Sequence, residues 1–354
     1  MSPLIPEYIL DIPPYPLGKP WQGDEVRLSA NENPLGPPPR ALEEIKRCLG
    51  RIHRYPDGAI GELKGALAQH LGLREGNIVL GNGSNEVIEM VVKVFLREGD
   101  EAIIPTPSFA YYRIAVRARG GRVVEVPLRD FRVDLEAIAR AVTERTRLVF
   151  IDNPNNPTGT IFTKGEFETF LGRIPEGVVT VVDEAYGEFV SSPEYPTFRD
   201  HLRQGRTIVA LRTFSKFYGL AGLRVGYGVA REEIIEVLDR VHQPFNVSIL
   251  GVAGCLGALR DEDFQRRTRQ VIEEGRHFLT EGFKRLGVEF VPSEANFLLV
   301  KVGRRKERLV RLLKGARVVV RDMKGYGLPE YVRVTVGLPE ENRQLLEVFE
   351  ACVR

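Results

Sequence analysis

The sequence predicts an α/β fold: a large domain whose mainly parallel sheet is sandwiched by helices, followed by a smaller α+β domain. Two observations carry this. Short apolar strands at residues 102–104, 123–126, 148–151, 178–182, 208–211 and 225–229 alternate with helix-like or loop segments, the order that sets parallel strands between helical layers. Several are continuous apolar runs, as strands are when both sheet faces are covered. Beyond about Asp261 the pattern changes to one long helical segment, 264–286, then strands at 288–291, 297–302, 318–320 and 332–336 and a closing helix after Pro339. With 354 residues the chain exceeds one usual hydrophobic core. The expected division is 1–45 for an N-terminal arm and a helix packing with the small domain, 46–255 for the large ligand-holding domain and 256–354 for the small one.

Taken in order, residues 1–30 are proline-rich and irregular, the composition of an arm lying along a surface. The cluster from Asn31 to Pro37 reads as turn chemistry. A helix is expected from near Pro39, with Leu42, Ile45 and Leu49 on one face and Gly50 as its stop. Arg54-Tyr55-Pro56-Asp57-Gly58 is a second turn. The strand Ile78-Val79-Leu80 runs into Gly81-Asn82-Gly83-Ser84-Asn85, after which Ile88, Val91, Val92 and Phe95 mark a helix face. Free amides and the positive end of the helix dipole make Gly83, Ser84 and Asn85 a candidate anion site, with Ser84 as the expected N-cap. In isolation, an ordinary strand-to-helix turn is the better explanation of them.

Three polar groups stand just past strand ends: Asn156 after 148–151, Asp183 after 178–182 and Lys216 after 208–211. Ligands of open α/β sheets bind at that edge. Lys216 lies in Thr213-Phe214-Ser215-Lys216 and is followed by Gly222-Leu223-Arg224. A lysine amine attacks a carbonyl only when its surroundings remove its proton, as an apolar, cationic pocket does. Thr213, Ser215 and Arg224 are donors suited to a phosphate. Asp183 ends an apolar run, so its carboxylate needs a cation, either an arginine or a protonated ring nitrogen. Tyr186 and Asn156 can donate to a ring oxygen, and Phe109 offers a stacking face. Arg321 and Arg333 sit at or in strands of the second unit, a position that more often serves solvent.

Composition excludes other classes. The formal charge of +2, from 50 basic and 48 acidic residues, gives no reason to expect nucleic acid. Cys48, Cys255 and Cys352 are far apart, so neither a disulfide framework nor a metal site is indicated. The longest uncharged stretch, 241–259, holds His242, Gln243, Pro244 and Asn246 and reads as a buried loop and helix, not a membrane span. The N-terminus lacks a signal-peptide pattern, so a cytoplasmic location is expected.

Asn153-Pro154-Asn155-Asn156-Pro157-Thr158-Gly159, Asp183-Glu184-Ala185-Tyr186 and Ser215-Lys216 through Arg224 together resemble the core motifs of pyridoxal-phosphate aminotransferases of fold type I. The likeness spans nearly the whole chain. Within that family the 15–20 stretch, the 31–37 cluster, Tyr55 to Gly58 and Arg321-Asp322 are most similar to histidinol-phosphate aminotransferases. The resemblance implies that Lys216 carries pyridoxal 5'-phosphate as a Schiff base and moves the α-proton. It also implies that Asp183 holds the ring nitrogen, that Asn156 and Tyr186 hold the ring oxygen, and that Phe109 stacks on the ring. The phosphate then falls to Gly83, Ser84, Asn85, Thr213, Ser215 and Arg224, with Tyr55 reaching across a homodimer. Arg333 and Asn33 would grip the α-carboxylate, and Arg321 and Tyr15 the far end of histidinol phosphate. Phe109 departs from the tyrosine of many relatives but keeps the stacking face. An aromatic or broad aminotransferase, a threonine-phosphate decarboxylase and a non-catalytic cofactor sensor remain as alternatives.

Overall fold

The computed structural model describes residues 4–13, 23–56, 58–197, 202 and 206–354. Its strands, in chain order, are β1 (Val26–Leu28), β2 (Ile78–Asn82), β3 (Glu101–Thr106), β4 (Arg122–Pro127), β5 (Thr146–Asp152) and β6 (Val179–Asp183). They continue with β7 (Ile208–Thr213), β8 (Val225–Val229), β9 (Phe290–Val291), β10 (Phe297–Lys301), β11 (Val318–Asp322) and β12 (Tyr331–Thr335). Seven of them form one sheet in the order β2-β8-β7-β6-β5-β3-β4. Neighbours from β7 to β4 are parallel, whereas β8 pairs antiparallel with both β7 and β2. A direct loop from β7 to β8 permits that reversal without a crossover helix.

The continuous apolar runs are explained by two covered faces. Leu148 and Phe150 of β5 pack with Val87, Val91 and Ile234 from the helices Ser84–Phe95 and Glu232–Asp239. Val149 and Ile151 of the same strand face the other way, onto Ile138, Phe167 and Phe170. A side chain of this size contributes about 1.5–3 kcal/mol when fully buried. This is the α/β architecture expected from the sequence.

The remaining five strands make a second sheet, β1-β11-β12-β10-β9, antiparallel except for the parallel β1–β11 pair. The long helix Glu262–Arg285 and the closing helix Pro339–Val353 cover it, with Phe283 edge-on to Phe349 at 5.0 Å between ring centres. The N-terminal segment thus supplies an edge strand to this sheet. The helix that follows departs from expectation. Pro39–Cys48 packs on Ile249–Leu259 rather than on the small sheet, and Gly257 permits it, since a Cβ there would lie 2.5 Å from the Arg40 carbonyl oxygen. Its buried residue is Ala41, so Leu42 and Leu49 face outward instead of forming the predicted core stripe. Gly50 does not end the chain's turning, because a 3-10 turn, Leu49–Arg51, continues the helix. Among the described residues, no helix is long and apolar enough to cross a membrane, and no cluster of ligand-type side chains could hold a metal ion.

Candidate active site

The register of the parallel strands builds the site. Asp152 at the end of β5 is the partner of Asp183 at the end of β6, and β7 alongside leads into the loop that carries Lys216. These strand ends open into a cavity of about 390 Å³. Of the residues singled out from sequence, Ser84, Asn85, Phe109, Asn156, Asp183 and Tyr186 line it. So do Thr213, Ser215, Lys216 and Arg224 from the β7–β8 loop and, from the second sheet, Arg321 and Arg333.

At its centre, Lys216 Nζ donates to the Ala30 carbonyl at 2.8 Å and lies 6.0 Å from the centre of the Tyr186 ring. Burial, then the charges of Arg333 and Arg224, pull the amine down to about 8, against the opposing pull of Glu32 and Asp183. The group is therefore a fair nucleophile near neutral pH.

Asp183 is buried, and burial pushes its carboxyl up from the ordinary value. Tyr112 donates to Oδ2 at 2.7 Å and the Ala185 amide to Oδ1 at 3.0 Å. The arginine pairing that would have made Asp183 a structural salt bridge goes to its neighbour, since Arg212 binds Glu184 and Glu188.

One corner of the cavity suits an anion. Gly83, at φ 73°, is the cap of the helix Ser84–Phe95, a role that serine would fill only with strain, so Ser84 is the first helical residue and not the expected N-cap. A Cβ at Gly83 would stand 2.6 Å from Arg224 Nη2, so the glycine lets the guanidinium close on the helix start. Arg224 Nη1 also donates to Ser215 Oγ at 3.3 Å, while Thr213 Oγ1 accepts from the Ser215 amide at 3.1 Å.

On the opposite side Arg333, 6% exposed, donates from Nη1 to Asn156 Oδ1 and from Nη2 to the Ser29 carbonyl at 3.1 Å. The contact engages Oδ1 and leaves the side-chain Nδ2 of Asn156 as the donor. Arg333 Nε has no hydrogen-bond partner although it is buried.

Two predicted residues fall elsewhere. Asn33 is buried away from the cavity, donating to the Phe217 carbonyl at 2.8 Å and to Thr268 Oγ1 at 3.1 Å. It clamps the turn, and its neighbour Asn31 is the one that reaches the site, donating to the Tyr186 hydroxyl at 2.9 Å. Tyr55 is 71% exposed, stacked on Phe245 outside this chain's own cavity. Tyr15 lies outside the described residues.

Sequence reasoning missed Tyr112, Asp152 and Asn31. Asp152 is buried at the cavity wall, accepting from the Asn156 amide at 2.8 Å and from Asn155 Nδ2 at 2.8 Å. Its signal was present in the sequence, a carboxylate closing the apolar run 148–151 just as Asp183 closes 178–182.

Residues 23–349 match the sequence profile of the aminotransferases of class I and II. The chain is 43% identical over 352 residues to the histidinol-phosphate aminotransferase of Moorella thermoacetica, covering 97% of this chain and 91% of that protein. It is 43% identical over 361 residues to the enzyme of the same name from Desulfotalea psychrophila, with 99% and 95% covered. Among solved structures, histidinol-phosphate aminotransferase from Sinorhizobium meliloti in complex with pyridoxal-5'-phosphate superposes with a TM-score of 0.87 at 29% identity, over 93% of this chain and 91% of that one. Aspartate aminotransferase from Thermus thermophilus with maleate superposes at 0.82 and 26% identity, over 93% and 92%. With a lysine, a buried aspartate and an anion corner at one sheet edge, and this likeness along nearly its whole length, the chain belongs to the class I and II aminotransferases.

Proposed function

We propose that this aminotransferase exchanges an amino group between histidinol phosphate and 2-oxoglutarate, giving imidazole-acetol phosphate and glutamate in histidine biosynthesis. The cofactor is pyridoxal 5'-phosphate, and the residues present fit it. Asp183 is a buried carboxylate held by two neutral donors, the partner that a protonated ring nitrogen requires. When bound, the cofactor supplies an aldehyde for an amine and a ring that accepts electrons from the α-carbon.

The chain's own residues do the rest. Lys216 holds the cofactor and moves the proton at the substrate α-carbon. Asn156 and Tyr186 donate to the ring oxygen and Phe109 covers a ring face. Gly83, Ser84, Asn85, Thr213, Ser215 and Arg224 take the phosphate. Arg333 binds the α-carboxylate of glutamate, and Arg321 the far end of either substrate, because its planar fork suits phosphate and carboxylate alike.

The observation that carries this reading is that Lys216, Asp183 and Arg224 line one cavity together with Arg321 and Arg333 of the second sheet. We read residues 46–255 as the cofactor-holding domain and 256–354 as the small domain. The working unit is a cytoplasmic homodimer whose sites are completed by Tyr55 from the other copy. Exposed Leu42, Leu49, Ile52, Tyr55 and Phe245 support such a face.

The test mixes purified, cofactor-loaded protein with a panel of amino donors and follows the cofactor's absorbance in the first half-reaction. Histidinol phosphate and glutamate are expected to convert it, and 2-oxoglutarate to restore it. Preference for phenylalanine, or release of carbon dioxide from threonine phosphate, overturns the substrate assignment and leaves the cofactor assignment standing.

A further inference from the structure

We propose that Tyr112 is a positioning residue for the reaction: its buried hydroxyl fixes one oxygen of Asp183 and keeps that carboxylate charged for the ring nitrogen it would hold. The inference rests on the reading of Asp183 as the partner of the ring nitrogen. Tyr112 is the second residue of the helix Tyr111–Ala118 and is fully buried. Its ring lies stacked on Phe150 of β5, 4.9 Å between centres and 13° between planes, and meets Phe109 edge-on at 5.5 Å and 85°. The ring is thus locked by packing. Its hydroxyl ends 2.7 Å from Asp183 Oδ2, while the Ala185 amide holds the other oxygen. The carboxylate plane is fixed from two sides, and the residue that fixes it also backs the candidate stacking face of Phe109.

The chemistry of the surroundings gives this bond its weight. The ionisable groups around Asp183 are Tyr112 from its helix, Asp152 from β5, Glu184, Tyr186 and Tyr195 from the segment after β6 and Lys216 from the loop after β7. Burial disfavours a charged Asp183, and its charge in turn pushes up the carboxyl of Asp152. A hydrogen bond donated to the ionised form favours it. Tyr112 is the side chain that donates one, whereas the hydroxyl of the adjacent Tyr111 goes to Glu89 on another helix.

The experiment compares wild type with Tyr112→Phe, with 3-fluorotyrosine placed at position 112, and with Tyr111→Phe as control. The apo protein is titrated by infrared spectroscopy in an Asp152→Asn background, which removes the second buried carboxyl, and the Asp183 band is assigned by its loss in Asp183→Asn. Tyr112→Phe is expected to raise the protonation midpoint of Asp183 by about one to two pH units, the worth of a hydrogen bond to a charged group. It should also weaken pyridoxal-phosphate binding to the apo protein by about tenfold or more and lower kcat with little change in KM for the donor. Fluorination makes the phenol a stronger donor at almost unchanged size, so it should move the midpoint down. Tyr111→Phe should move nothing. An unchanged midpoint in Tyr112→Phe, or shifts of the same sign in both variants, overturns the proposal. If Tyr112→Phe fails to fold by circular dichroism, the fluorotyrosine protein decides alone. Loss of activity toward histidinol phosphate in wild type, with the Asp183 shift and the weaker cofactor binding intact, would sink the substrate reading and leave this one standing.

Discussion

Arg321 and Arg333 are register partners on the antiparallel strands β11 and β12, and both line the cavity that holds Lys216. Like charges directly opposite each other destabilise a sheet by roughly 0.2–1 kcal/mol. The pair therefore anticipates an anion between them. Arg321→Ala is expected to raise unfolding stability by about that amount in low-salt, anion-free buffer. Added 2-oxoglutarate should stabilise wild type more than the variant. A variant less stable than wild type in anion-free urea unfolding would refute the argument.

A second expectation concerns Lys216, whose amine is pulled down to about 8 by burial first and by Arg333 and Arg224 after it. Only the neutral amine attacks an aldehyde, so the rate at which apo protein captures pyridoxal phosphate should rise with pH and level off above about 8. Replacing Arg333 by Gln removes a nearby positive charge and should move the midpoint upward. Stopped-flow absorbance across a pH series measures both. Lys216→Ala should fold, capture no cofactor covalently and show no turnover.

Asp152 yields a stability prediction. Burial is the largest cause that raises its carboxyl from the ordinary 3.8 to about 7, with the charge of Asp183 adding to it. Between those values the folded chain keeps a proton that the unfolded chain has released, so this residue makes stability fall as pH rises through the window. Asp152→Asn removes that slope. Its stability relative to wild type should climb from about pH 4 to about pH 7 and stay constant above. Urea midpoints at both ends of the range check it, and parallel curves would refute it.

The sheet was legible because its strands are apolar on both faces, and the chemistry because Asn156, Asp183 and Lys216 each stand at a strand end. What the sequence hid was mostly contact across long separations. Nothing near Tyr112 signals that its hydroxyl meets Asp183, 71 positions away. The apolar spacing of Leu42, Ile45 and Leu49 looked like a core stripe, yet small Ala41 and Gly257 set the real helix contact and leave Leu42 and Leu49 outside. Asn31 and Asn33 share one turn and one side-chain chemistry, and only the fold decides that Asn33 turns to Phe217 while Asn31 turns to Tyr186.

The outward apolar face leads to an assembly test. Ile52 is 63% exposed and Tyr55 71%, beside Leu49 and Phe245. Ile52→Glu should weaken self-association, measured by sedimentation as a rise in the dimer dissociation constant. Co-expressing Tyr55→Phe with Lys216→Ala should give mixed dimers with one doubly defective and one intact site. An active monomer would rule out shared sites.

The two arginines also separate the two half-reactions. Glutamate has an α-carboxylate and histidinol phosphate has none, so Arg333, beside Asn156 and Lys216, should matter chiefly for the glutamate half. Arg321 stands on the neighbouring strand, where it can meet the distal carboxylate of one substrate or the phosphate of the other. Losing a charge-assisted hydrogen bond removes roughly 1.5–3 kcal/mol of binding. Arg321→Ala should therefore raise KM for both donors by about 10-fold to 100-fold. Arg333→Lys keeps the charge but loses the planar fork, and it should raise KM for glutamate while that for histidinol phosphate stays within a few-fold. Single-turnover kinetics of each half-reaction read the two effects separately. Equal losses on both substrates in Arg333→Lys would mean that this arginine serves the cofactor or the fold and not the α-carboxylate.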